Sequence, residues 1–338
     1  MSLVRAERRR LLKRRFTRYM LLIGVLILAA VALGTYFTNE KVGPAQVAAA
    51  QRQADRQYEL MLGQVERDRQ ECRQAKEAGG SQDRRYPEDC DQIQAPSREE
   101  AANPEWFMPA SFDFKKEFQD AIVVFTAILA LVAFVVGASY VGAEWNSGGM
   151  MNLLLWRPRR LQVLATKLGT LVAWLVVAFV VLGTAWTAAF WAIATYRGTT
   201  AKMTPGTWES FTLIGARGLA LVLVGGVLGF ATASLGRHTA MALGGALVVI
   251  VVGQFGLGIL LAIAQVRFLE MYLLPTYVAA WMYKSVQLQD FETCQFTLGQ
   301  CQPETTDITW QHSALLFGTT TLAIVSLAMW SMRRRDIT

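Results

Sequence analysis

One polar interval between two apolar stretches gathers the residues best suited to chemistry. It reads Gly142-Ala-Glu-Trp-Asn-Ser-Gly-Gly-Met-Met-Asn-Leu-Leu-Leu-Trp-Arg-Pro-Arg-Arg-Leu-Gln-Val-Leu-Ala-Thr-Lys167. Glu144 stands at the exit of the first stretch, and Gly148 and Gly149 break the chain after it. A short amphipathic turn follows from Met150 to Trp156, with Leu154 inside it. Then come Arg157, Pro158 and Arg160, and Lys167 opens the next stretch. A carboxylate and several cations without a nucleophile do not break bonds; what they offer is docking. The pattern predicts a short helix across the bilayer surface, its polar face free for something cytoplasmic. Anionic lipid headgroups would account for Arg157, Arg159 and Arg160, but not for Glu144 beside a double glycine and an apolar turn.

Four cysteines, Cys72, Cys90, Cys294 and Cys301, offer a second chemistry, and none lies in an apolar stretch. An even number on an oxidising side points to disulfides, with the local pairs Cys72–Cys90 and Cys294–Cys301 favoured among three pairings. A metal site is the alternative, against absent CxxC spacing and two histidines, His238 and His312, placed at opposite faces of the membrane. No GxxxxGK[ST] phosphate loop occurs, nor any His/Asp/Ser or His/Glu cluster. The chain is therefore read as no enzyme, with no cofactor of its own.

The elements that position these residues are set by lipid. Of 338 residues 53% are hydrophobic and only 17% charged, below the roughly 25% charge of soluble domains. The charges cluster between long uncharged stretches. Six of these are long enough to cross a hydrocarbon core about 30 Å thick: Tyr19–Phe37, Ala121–Gly142, Leu168–Thr195, Gly218–Leu235, Ala240–Ala264 and Ala314–Met332. Inside lipid the backbone must bond to itself, so these spans are helices. The first lacks a small-residue cleavage site and reads as a permanent anchor. The fold expected is an all-α integral membrane protein with six transmembrane helices.

Basic residues give the orientation. Residues 1–18 carry eight Lys/Arg against a lone Glu7, forming a basic helix whose Leu3, Val4, Leu11, Leu12 and Phe16 lie in the interface. Positive-inside logic keeps this end in the cytoplasm of a cell, read as bacterial. Alternation then brings Arg157 to Lys167, Arg237 and Arg333 to Arg335 to the same side. The overall charge of +7 thereby needs no nucleic-acid partner. The long loop 38–118 falls outside with 12 basic and 16 acidic residues. Within it Ala54, Tyr58, Met61, Val65 and Cys72 recur at helical spacing up to Gly79 and Gly80. That stripe suits a hairpin, a partner subunit or a solvated cap alike. Trp106, Phe107, Met108, Phe112, Phe114 and Phe118 read as an aromatic belt. Residues 265–313 form the last outer loop, where Phe268 to Tyr283, broken by Pro275, reads as a re-entrant or interfacial helix pair. The five later spans occupy 119–338, with the docking loop at 143–167.

An acidic residue, Gly-Gly, Pro-x-Arg and a Lys together resemble the permeases of the type-2 family of ABC exporters. The resemblance extends to the basic amphipathic N-terminus, the six spans, the re-entrant region before the sixth and the terminal Arg-Arg-Arg-Asp. Gly-Gly replaces the family's usual Gly-Thr, and the first outer loop is longer than the family minimum. The resemblance implies that this loop is a coupling helix seated in a cleft of a separate ABC ATPase. It carries that role to Glu144, Gly148, Gly149, Pro158, Arg160 and Lys167, and the docking reading adds Met150, Leu154 and Arg157. It further implies two ATPase copies holding ATP and Mg, and a second permease copy in a homodimer. The uncharged spans agree with energy supplied from the cytoplasm, since ion-coupled carriers keep ionisable groups at membrane depth. Arg217, at the start of the fourth span, either snorkels to the outer interface or faces a pathway. Gly225 and Gly229, and then Gly244, Gly245, Gly253, Gly256 and Gly258, mark close helix approach. A path lined by Trp, Phe, Val and Leu fits a hydrophobic or amphiphilic cargo. The rival reading is a sensor or scaffold acting through the long outer loop, held in the membrane by lipid contacts.

Overall fold

The computed structural model describes residues 3–77, 89–151, 160–201, 203–290 and 303–334. Two compact units divide the chain: Met1–Ala32, Lys115–Phe190 and Ala201–Thr338 form the first, Leu33–Phe114 and Trp191–Thr200 the second. Six helices are long and apolar enough to cross a membrane: Arg15–Thr38, Phe114–Asn146, Arg160–Arg197, Pro205–Gly236, Thr239–Ile263 and Trp310–Arg334. All six expected spans lie on them. Several helices overrun the apolar stretches, because once begun a helix keeps its own hydrogen bonds into the interface. The third runs for 38 residues, ~57 Å at 1.5 Å per residue.

The N-terminal amphipathic helix is Leu3–Lys13, and the first span starts at Arg15, four residues before the apolar stretch. Arginines hold that corner. Arg14 donates to the carbonyls of Ser139 and Tyr140 at 2.9 and 3.1 Å, and Arg18 to that of Leu12 at 2.9 Å.

Spans two and four pack through glycine. A Cβ on Gly225 would stand 2.8 Å from the Ala130 carbonyl oxygen, and one on Gly229 would run into that of Phe134. Four-residue spacing on one helix meets four-residue spacing on the other, and only hydrogen side chains admit the contact. Aromatic rings fill the rest of this core. Phe118 meets Phe190 and Phe211, and Phe125 stacks on Trp186 at 5.7 Å. This corrects the belt reading for Phe112, Phe114 and Phe118, which are buried. The second span begins at Phe114, so Phe118 lies one turn inside a helix bundle; Trp106 stays exposed.

Arg237, in a left-handed conformation, and His238 make the whole turn between spans four and five. His238 Nδ1 accepts from the Ala240 amide at 3.0 Å, capping the fifth span. That span passes through a π-helical turn at Val251–Gly256, where Gln254 accepts from the Leu274 amide at 2.6 Å. Before the sixth span the structure has one 3₁₀ turn, Leu269–Tyr272, and one helix, Leu274–Tyr283. An antiparallel strand pair, Ser285–Asp290 with Glu304–Thr309, follows that helix. Val286, Leu288 and Ile308 alternate with polar residues, and Leu288 and Ile308 bury against Ala280. Trp281 donates to the Arg217 carbonyl at 2.9 Å and Tyr283 to Asp120 at 2.6 Å. Burial first, then the hydrogen bond and charge of Asp120, push the Tyr283 hydroxyl up to about 12, so it remains a donor across physiological pH.

The second unit is built on a 34-residue helix, Pro44–Glu77, the helix expected in the long loop. Cys72 and Cys90 are joined in a disulfide with Cα atoms 5.9 Å apart; Cys294 and Cys301 lie outside the described residues. Beside the bridge Arg69 donates to the Ile93 carbonyl at 2.7 Å and Arg73 pairs with Asp91 at 3.0 Å. Arg98 pairs with Asp55 farther along the helix. A short parallel pairing of Phe112–Asp113 with Gly198–Thr199 completes the unit. Cys72→Ser opens a loop of sequence separation 18 and is expected to cost this unit about 3 kcal/mol. The readout is faster tryptic cleavage along Pro44–Glu77; an unchanged rate would show that the arginine contacts hold the loop without the bridge.

Candidate functional site

The docking loop leads to a buried ionic cluster. Lys167, two turns into the third span helix, sits on its inward stripe of Val163, Leu164, Thr170 and Leu171. The lysine is 0% exposed. An ammonium so placed needs counter-charge, since an unpaired buried ion costs several kcal/mol. It finds two carboxylates. Its Nζ is 2.7 Å from Glu7 Oε2 and 2.7 Å from Glu144 Oε2. The first contact has hydrogen-bond geometry; the second is an ion pair whose approach angle is off that of a hydrogen bond. Tyr140 donates its hydroxyl to Glu7 Oε2 at 2.7 Å, and its ring lies 5.0 Å from the ammonium. Arg10 reaches Glu7 Oε1 at 3.3 Å from the exposed side.

Three chain segments are thereby tied at one point: the N-terminal helix through Glu7, the end of span two through Tyr140 and Glu144, and the start of span three through Lys167. Two cations face two carboxylates, so the cluster is neutral. Next to it Arg237 lies over the Trp145 ring at 5.0 Å, which adds the span-four end to the same corner.

Of the expected residues, the structure brings together Glu144 and Lys167. The second span helix ends at Asn146, and Gly148 follows in a turn with φ +70°, a conformation that costs a side-chain-bearing residue about 1–2 kcal/mol. Gly149 and Met150 begin the next helical turn. Met150 is fully buried. Arg160 opens the third span helix. Leu154, Arg157 and Pro158 lie outside the described residues. Sequence reasoning missed Glu7 and Tyr140. Glu7 carried a signal, the only acid among eight bases in residues 1–18, while nothing marks Tyr140. Among the described residues no group of three His, Cys, Asp or Glu side chains is placed to hold a metal.

The ABC-2 family transporter protein family matches residues 1–333 of the chain. No curated protein and no solved structure matches it significantly. Six span-length helices and a match over nearly the whole length agree: the chain is a multi-pass membrane protein and belongs to the ABC-2 family of transporter permeases.

Proposed function

We propose that this chain is the transmembrane subunit of an ATP-driven exporter whose ATPase is a separate polypeptide. In this reading two permease copies and two ATPase copies assemble in a bacterial cell membrane, with both termini in the cytoplasm. ATP and Mg bind only the ATPases, and the cargo is hydrophobic or amphiphilic. The observation that carries the reading is the neutral cluster of Glu7, Arg10, Glu144 and Lys167. It joins the surface helix to the two spans flanking the docking loop, so a push on that loop reaches three elements at once. ATP-driven approach of the ATPases would move the loop, and the spans would follow as rigid bodies from inward-closed to outward-open. The open glycines Gly244, Gly245 and Gly253, with no atom within 4 Å of an added Cβ, support a second copy against the fifth span. The compact disulfide-bonded unit favours the second reading, a sensor or scaffold working through its outer loop.

Purification of the tagged chain in mild detergent, from cells at native expression, tests the proposal. A stoichiometric ATPase with a phosphate loop is expected to come with it. Gly148→Val, which strains the φ +70° turn, and Glu144→Gln are each expected to lower ATPase recovery at least tenfold, a loss of about 1.4 kcal/mol. A clean permease with no ATPase would sink the exporter reading and favour the scaffold.

A further inference from the structure

A groove of about 930 Å³ opens between the N-terminal helix, the first span and the third span. Its composition is graded along its length. The third span contributes Gln162 and Thr166 at one end, and nothing but apolar side chains from Ala173 to Leu182 at the other. Val4, Leu12 and Leu21 close the facing wall, and Arg8 stands among them as the one charged residue. The threonines add no free hydrogen-bonding demand, because Thr166 and Thr170 donate to the carbonyls of Gln162 and Thr166 at 2.7 Å. Arg8 is the basic residue of this segment that lines the groove. Arg10, Arg14 and Arg18 are engaged with Glu7, with the Ser139 and Tyr140 carbonyls and with the Leu12 carbonyl. Arg8 is exposed and has no ion pair or hydrogen bond among the described residues.

The geometry points to a binding site for one anionic phospholipid, its phosphate on Arg8 and an acyl chain along the third span. Three observations select this occupant. The groove is cationic at one end and apolar at the other, which matches the two ends of such a lipid. From Gln162 to Leu182 the lining covers twenty helical steps, ~30 Å, longer than the roughly 20–22 Å of half a bilayer with its headgroups, so a headgroup and a full acyl chain fit along it. Both spans that form the walls bury little of themselves in the chain, 11% and 17% of their apolar windows, so lipid reaches the groove directly. Gly169 lines it at mid-length with open space around a Cβ, which leaves room beside the backbone for a hydrocarbon chain. The site stands on membrane insertion alone and holds whether or not the chain exports anything.

Native mass spectrometry of the full chain in mild detergent, given equal phosphatidylglycerol and phosphatidylcholine of the same chains, provides the test. The wild type is expected to retain one phosphatidylglycerol with about fivefold preference, the value of one cation near a headgroup. Arg8→Gln is expected to bring that preference to about one. Gly169→Leu, which fills the groove, should remove the retained lipid of both kinds, whereas Gly318→Leu, equally open but on the sixth span, should leave it in place. Equal retention of the two lipids by the wild type, or an unchanged preference in Arg8→Gln, would overturn the assignment. So would a shift from dimer to monomer in Gly169→Leu with lipid retention intact, since the groove would then be an interface between copies.

Discussion

Lys167→Met is expected to destabilise the first unit by about 3–5 kcal/mol, the usual cost of removing one partner from a buried ion pair. The side chain keeps its length, so little packing is lost; the loss is counter-charge. Glu7 would retain Tyr140 and a more distant Arg10, but Glu144 would keep no ion-pair partner among the described residues. Thermal unfolding of the detergent-solubilised protein should fall by several degrees. Adding Glu7→Gln and Glu144→Gln to Lys167→Met removes the stranded charges and is expected to recover most of the loss, as buried ion sets can be replaced by neutral groups at little cost. An unfolding temperature unmoved by Lys167→Met would mean that water already solvates the lysine. If instead the triple variant is as unstable as the single one, packing rather than charge holds this corner. The same triple variant separates stability from the proposed coupling: a stable protein that no longer retains the proposed ATPase would place the transmitted push in the ionic contacts themselves.

Gly229→Leu is expected to abolish recovery of folded protein. Overpacking a core costs about 1–3 kcal/mol where neighbours can give way. Here the obstacle is the Phe134 carbonyl oxygen in the middle of a helix, and it cannot move without separating spans two and four. Size-exclusion chromatography in detergent should show little monodisperse protein. Gly318→Leu on the sixth span is the matched control, with the same added volume and no atom to meet within 4 Å in the described chain. Equal yields from the two variants would contradict the glycine contact.

These two sites show what a sequence can and cannot reveal. The spans were legible because lipid imposes a length and forbids charge, and both constraints act locally along the chain. The GxxxG pair Gly225 and Gly229 was legible because it too is local along the chain, although the small-residue signal of Gly244 and Gly253 meets nothing in the single chain. The ionic cluster was half legible. Glu144 and Lys167 stood out in one loop, but Glu7 pairs with a lysine 160 positions away, and no periodicity connects such residues. Aromatic residues before the second span illustrate a different failure: Phe114 and Phe118 have the composition of a lipid interface and of a protein core alike, and only the neighbouring Trp191, Phe190 and Phe211 decide. The strand pair before the sixth span had a signal, the alternation of Val286 and Leu288, which is weak beside a stretch read as helical.

The π turn of the fifth span sets an angular phase. Its i→i+5 bonds accommodate one residue more than an α-helix would over the same rise, and one residue in an α-helix corresponds to about 100° of rotation. The face shown by Thr239–Ile250 and the face shown by Leu257–Ile263 are therefore offset from what an uninterrupted α-helix would present. Gln254 sits in the offset and holds the first amide of the Leu274–Tyr283 helix. Relaxing the turn to regular α-helix would rotate one half of the span against the other and pull Gln254 away from that amide.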